Sequence, residues 1–157
     1  QAKGKKWRIF HMRYGSSKPE VTARRLASQM WGTDIQRQRK LADGIWWFTT
    51  NGHGGLIGDT AVRPELNEFN TGVAYHGHFY CNEQHFAAFE EDCMAALVEW
   101  TYPEIIPAIQ KELVEPYCSQ PTEEFIRERT MILRESLAHW NPDWLKIYPE
   151  PGVRIPG

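Results

Sequence analysis

Large apolar and polar residues roughly alternate from Trp7 to Tyr14, the period of a half-buried strand. Ser16-Ser17-Lys18-Pro19 supplies turn and helix-start chemistry for a helix to about Met30, with Val21, Leu26 and Met30 near one stripe and Arg24 and Arg25 on its other faces. After Gly32, residues 35–41 read as a polar strand, Asp43-Gly44 as a tight turn, and Ile45–Thr50 as its buried partner. An Asp-Gly pair between two such runs is the firmest hairpin signal in the chain. The loop Asn51-Gly52-His53-Gly54-Gly55 follows, then Leu56 and Ile57, then a short helix or turn around Pro64–Phe69. A further strand is expected from about Val73 to Cys81, with His76 and His78 on one face and Val73, Tyr75, Phe79 and Cys81 on the other.

The second half changes period. Phe86, Phe89, Cys93, Leu97 and Trp100 recur at helical spacing and predict a helix over Gln84–Thr101. Tyr102-Pro103 ends it, and a second helix should run to about Glu115, with Pro103 and Pro107 near its first turn. Thr122-Glu123-Glu124 opens a third, to about His139, placing Ile126, Leu133, Leu137 and Trp140 on one side. From Asn141 onward four prolines predict an extended strap held by Trp144, Leu145 and Tyr148. Strands first and helices later imply one α+β domain across 1–157, a small antiparallel sheet packed on one side by three to four helices. A basic flexible start, 1–6, and a proline-rich tail, 141–157, flank it.

At 157 residues and 41% hydrophobic, the chain is the size of one domain and is neither a disordered tail nor a fibre. Its longest apolar run, Ile45–Phe48, falls far short of the roughly 20 residues of a membrane span, so no membrane partner is expected. No basic segment near Gln1 leads into an apolar one of signal-peptide length, and a cytoplasmic setting is the expectation. Cys81, Cys93 and Cys118 lack framework spacing and are expected as thiols. The net charge of −2 hides a division: residues to Lys40 carry 11 Lys and Arg against 2 acids, a balance of +9, and the remainder carries −11. That polarity fits a basic segment facing nucleic acid, with Trp7, Phe10, Tyr14 and Trp31 to stack on bases, or two parts that fold against each other.

Three constellations could carry chemistry. His53 sits among glycines at the end of a buried strand, where small residues leave the ring and nearby N–H groups of Gly52, Gly54 and Gly55 open to a ligand. In Glu90-Glu91-Asp92-Cys93, on the expected helix, Glu90 falls at the edge of the apolar stripe while Glu91 and Asp92 point outward, so Glu90 could orient a histidine, act as a base or bind a metal. His76-x-His78 places two imidazoles on one strand face, a geometry for two zinc ligands, although Cys81 faces the other way. The alternative to each is architectural: a tight turn, a buried acid with a backbone donor, an ordinary polar strand face. Pairing His53 with Cys81 as in a caspase-like peptidase fails on spacing and context, and no Walker loop, His-Glu-x-x-His or Gly-x-Ser-x-Gly occurs.

Taken in order, Trp31-Gly32, Gly44-Ile45, Thr49-Thr50-x-Gly52-His53-Gly54-Gly55 and Glu90-Glu91-Asp92-Cys93 resemble an uncharacterised domain family of bacteria and phages over residues 30–105. Ile57-Gly58-Asp59-Thr60 stands where that family usually has a serine-rich segment. The resemblance brings no reaction. It implies that the sheet-end loop and the acidic segment belong to one site, and that the gene travels with phages or plasmids. Two functions are compatible with these features. One is a mobile-element accessory protein that binds a host macromolecule, plausibly a defence-system protein, with Gly52, Gly54, Gly55, Glu91, Asp92, Arg24 and Arg25 as binding residues and no cofactor. The other is a small hydrolase-type enzyme with His53 as acid–base, Glu90 orienting it, and N–H groups of Gly54 and Gly55 stabilising an anion. Zinc is the alternative cofactor.

Overall fold

The computed structural model describes residues 18–68, 84–91, 94–115 and 119–156 in full, and the backbone of 7–9 and 77–81. The fold class is α+β. The chain forms two compact units, Gln1–Glu91 and Asp92–Gly157. Each is described on its own.

The first unit is a six-stranded sheet carrying one helix. Its strands are β1 (Trp7–Ile9), β2 (Ile35–Ala42), β3 (Ile45–Thr50), β4 (Gly54–Asp59), β5 (Gly77–Cys81) and β6 (Gln84–Glu90), in the order β1-β5-β6-β4-β3-β2. All pairings are antiparallel except β1 with β5, which is parallel, so the sheet is mixed rather than purely antiparallel. Helix α1 (Pro19–Met30) starts with proline at its first turn and presents Ala23, Leu26 and Ala27 at helical spacing. These residues and Trp31 pack on Trp46, Phe48, Ile57, Phe86 and Ala88 of the sheet. Burying a side chain such as Leu26 contributes about 1.5–3 kcal/mol, so this layer is one large source of the unit's stability.

The helix expected over Gln84–Thr101 is a strand in its first half. Phe86, Ala87, Ala88 and Phe89 are all fully buried, so both faces of β6, an inner strand between β4 and β5, are covered. A continuous apolar run of that kind has no two-residue alternation, and period alone cannot separate it from a helix. Helical spacing of Phe86 and Phe89 was a coincidence of two buried aromatics. Gly54 and Gly55 likewise belong to β4 rather than to an open loop. The Asp43-Gly44 hairpin joins β2 and β3 as the pattern requires, with Gly44 at φ 77°. Lys40 bonds the Asp43 carboxylate at 3.0 Å and holds it below its ordinary pKa.

The second unit is helical: α2 (Ala95–Thr101), α3 (Ile106–Ile109), α4 (Thr122–Trp140) and α5 (Pro142–Ile147). The single helix expected up to Glu115 is three pieces, a 3-10 turn at Pro103–Ile105, α3, and a π-turn at Gln110–Val114. Pro103 and Pro107 lack the N–H groups a continuous helix would use. The extended tail is corrected too: Pro142 sits in the first turn of α5, where its missing N–H costs nothing. Trp144 is buried there, stacks on Tyr148 with centroids 5.0 Å apart, and donates its indole N–H to Thr101 Oγ1 at 3.0 Å. The fully buried Trp100 donates to the Tyr148 carbonyl at 2.7 Å. Trp140, expected on the buried side of α4, is 62% exposed at its last residue. Phe125, Leu133 and Leu137 form the packed stripe instead.

Every residue of α2 is buried, Glu99 included. Its carboxylate accepts two bonds from Arg129 of α4, Nε at 2.7 Å and Nη2 at 2.9 Å. Burial opposes the Arg129 charge, but hydrogen bonding and attraction to Glu99 outweigh it and hold the guanidinium above its ordinary pKa. Arg129→Met should therefore cost about 3 kcal/mol in a denaturant titration, and Glu99→Leu with Arg129→Met together should recover most of it. A single variant as stable as wild type would show that the pair does not hold α2 to α4. Gly44→Ala should cost about 1–2 kcal/mol, because the turn holds residue 44 in the left-handed conformation that a Cβ disfavours and that Cβ would lie 2.7 Å from Val62 Cβ; an unchanged Tm would contradict this.

Candidate functional site

Three strand ends meet at one edge of the first unit: the end of β3, the start of β4 and the end of β6. Gly55 of β4 lies opposite both Phe48 and Glu90, and Gly54 lies opposite Thr49. That register puts Glu90 beside the loop Asn51-Gly52-His53. Facing backbones pack closely here: a Cβ on Gly54 would sit 2.7 Å from the Phe48 carbonyl, and one on Gly55 would collide with the Phe89 carbonyl.

The main chain of His53 is held on both sides. Its N–H donates to the Trp31 carbonyl at the end of α1, 3.0 Å away, and its carbonyl accepts from the N–H and hydroxyl of Thr50. The Thr50 hydroxyl also accepts from Gly52 N–H at 3.1 Å, and Asn51 N–H donates to the Asp34 carbonyl. The imidazole is thereby presented from a fixed backbone. His53 Nδ1 lies 3.4 Å from Glu90 Oε1, with the His53 side chain 41% exposed and that of Glu90 17%. A histidine open to solvent backed by a mostly buried carboxylate is the arrangement in which Nδ1–H can donate to the acid and Nε2 can exchange a proton with a ligand.

The structure brings His53, Glu90, Gly52, Gly54 and Gly55 to this edge. Glu91 joins them: its N–H donates to the Gly54 carbonyl at 2.9 Å, and its Oε2 is 3.1 Å from where a Gly54 Cβ would be. The glycines contribute strand proximity rather than an open anion cradle, since Gly55 is bracketed by β3 and β6 and its amide belongs to the ladder. Glu90 therefore reaches His53 from a strand end, not from a helix. Arg24 is elsewhere, bonding Gln38 of β2 at 2.6 Å, and Arg25 is the next residue of α1. Trp31 is buried in the α1 core and is not a base-stacking platform. Asp92, Cys93, His76, Phe10 and Tyr14 lie outside the described residues, as does the His78 side chain. Among the described residues no three His, Cys, Asp or Glu side chains gather as a metal centre.

Sequence reasoning missed the supports: Trp31 through its carbonyl, Thr50 through its hydroxyl, and the Asp34–Asn51 tie. Trp31-Gly32 and Thr49-Thr50 stood out in the sequence, but only the fold shows them holding the loop.

A family model described as Domain of unknown function (DUF7007) matches residues 24–151. The chain belongs to that family. The match takes in the loop, Glu90, and the Glu99–Arg129 pair of the second unit. No curated protein and no solved structure matches the chain.

The geometry makes a direct prediction. In the neutral ring of His53, nitrogen NMR should find the proton on Nδ1, and Glu90→Ala should move it toward Nε2, the tautomer free histidine prefers. A wild-type ring protonated mainly on Nε2 would mean that Glu90 does not orient it.

Proposed function

We propose that this domain is a small hydrolase-type enzyme in which His53 is the general acid–base and Glu90 sets its tautomer and orientation. The observation that supports this is the 3.4 Å separation of His53 Nδ1 and Glu90 Oε1 at a sheet end, between residues 37 positions apart in a chain of 157. Catalytic pairs in ligand-free structures are often long and tighten on substrate, so the contact lies within the working range. Glu91, on the same edge, adds negative charge that would favour a cationic or neutral substrate group over an anion.

A second reading keeps the domain as a cytoplasmic accessory protein of a phage or other mobile element that binds a host macromolecule, a defence-system protein or nucleic acid. The resemblance in the sequence supports it, and so does β2. This edge strand carries Arg37, Arg39 and Lys40, with Arg39 and Lys40 exposed. Charged edge strands also keep sheets from pairing with one another, which is the simpler use of the same residues.

One set of variants separates the readings. Wild type, His53→Ala, Glu90→Ala and Arg39→Glu/Lys40→Glu are compared in a phage-protection assay and against generic ester, phosphodiester and glycosidic substrates, with Tm as the folding control. The enzyme reading expects wild-type turnover that falls by about 10²–10⁴-fold in the first two variants and survives in the third. Folded His53→Ala and Glu90→Ala proteins that still protect fully, beside a basic-edge variant that does not, would overturn it in favour of binding.

A further inference from the structure

Gly32 follows Trp31, the C-cap of α1, and Gly52 precedes His53 in the loop. Neither has a positive φ, so backbone conformation does not call for glycine at either position. Space does. A Cβ on Gly52 would collide with the Trp31 carbonyl oxygen. One on Gly32 would overlap Asn51 Oδ1 and lie 2.6 Å from Thr50 Oγ1 and 3.0 Å from Gly52 N. The end of α1 and the loop close on each other across two missing side chains.

The atoms that Gly32 clears are those that set the His53 backbone. Thr50 Oγ1 donates to the His53 carbonyl and accepts from Gly52 N–H, and Asn51 Oδ1 accepts from Asp34 N–H at 3.4 Å. The Trp31 carbonyl, one residue before Gly32, accepts from His53 N–H. Asn51 is exposed, and its amide can swing aside. Thr50 has no such freedom: it is buried, short and β-branched, with its hydroxyl held by two bonds. A methyl at position 32 therefore has to displace Thr50 Oγ1 or hold the whole loop off α1, in either case by several tenths of an ångström. The His53–Glu90 contact has little tolerance for such a shift, because 3.4 Å is close to the outer limit of a hydrogen bond.

We infer that Gly32 is a positioning residue for His53: the clearance it leaves seats the loop against the end of α1 and so sets the imidazole within reach of Glu90. This rests on the reading of His53 and Glu90 as an acid–base pair. It adds that the helix end, and not the strand ends alone, determines where the ring stands, and that accurate seating matters to a catalytic group more than to a turn.

Nitrogen NMR of the His53 ring in the whole chain tests it, with Tm as the folding control. Wild type should carry the proton of the neutral ring on Nδ1. Gly32→Ala should make Nε2–H the major tautomer, and adding Glu90→Ala should then move it no further. Thr50→Val, which removes the hydroxyl, should act like Gly32→Ala, and Thr50→Ser, which keeps it, like wild type. Gly44→Ala, a destabilising change at the other end of β3, should leave the ring as it is. A wild-type ring protonated mainly on Nε2 would overturn the acid–base pair and this role with it. An Nδ1–H ring that survives Gly32→Ala, or that Gly44→Ala disturbs as much, would overturn the role of Gly32 alone. Should Gly32→Ala not fold, Thr50→Val decides, and a ring unmoved by loss of the hydroxyl overturns the role as well.

Discussion

Strand β4 carries glycine at three of its six positions, and the first unit is built around the space those glycines leave. Gly55 lets the Phe89 carbonyl of β6 come close, Gly54 admits the Phe48 carbonyl of β3, and Gly58 leaves the volume that Leu66 fills. Any larger residue would push a neighbouring strand aside and shift the register that sets Glu90 opposite Gly55. Glycine in a strand ordinarily weakens it, through lost packing and backbone entropy. Here the cost is offset by two ladders and by Leu56 and Ile57, both fully buried on the same strand. The His53–Glu90 contact is a consequence of that register.

Much of this architecture was legible in the sequence, and what was not has specific causes. The β2–β3 hairpin, α1 and α4 follow from local chemistry: a turn that needs positive φ, a proline at a helix start, apolar residues at a regular period. That the sheet-end loop and the acidic segment lie together was implied only by the resemblance, not by the residues themselves. The geometry of the pair was implied by neither. Phe86–Phe89 reads as helix because a strand hidden on both faces loses its alternation, and only the pairing with β4 and β5 decides the matter. Similarly, Gly54 and Gly55 read as loop because intrinsic preference takes no account of a neighbour that requires a missing side chain. Glu99 and Arg129 drew no notice, since a lone acid in an apolar helix gives no sign of a partner 30 residues away.

The second unit answers the same problem, polar groups in an apolar interior, by pairing each of them. Indole N–H groups of Trp100 and Trp144 end on a carbonyl and a hydroxyl, and the Glu99 carboxylate takes both of its bonds from one guanidinium. Unpaired, any one of these groups would cost about 1–3 kcal/mol, and a charged one more. Because Tyr148 and Gly152 bond Trp100 from the C-terminal segment, α5 and its turn serve to complete the interior of this unit rather than to trail from it.

How such a frame could support proton chemistry follows from what is fixed and what is free. Three hydrogen bonds fix the backbone of His53, one to the end of α1 and two to Thr50, whereas its side chain remains 41% exposed. Glu90 has the opposite balance, with a mostly buried side chain on the last residue of a strand paired to β4 and β5. Side-chain rotation is then the main freedom left to the pair, and a change of a few tenths of an ångström from 3.4 Å makes or breaks the bond between them. General acid–base work asks for that combination: a ring whose position is set by the fold and whose outer nitrogen is open to solvent. The backbone bonds would form for any residue that closes this turn, so it is the mostly buried Glu90 carboxylate behind the ring that sets His53 apart from a residue that only fills it.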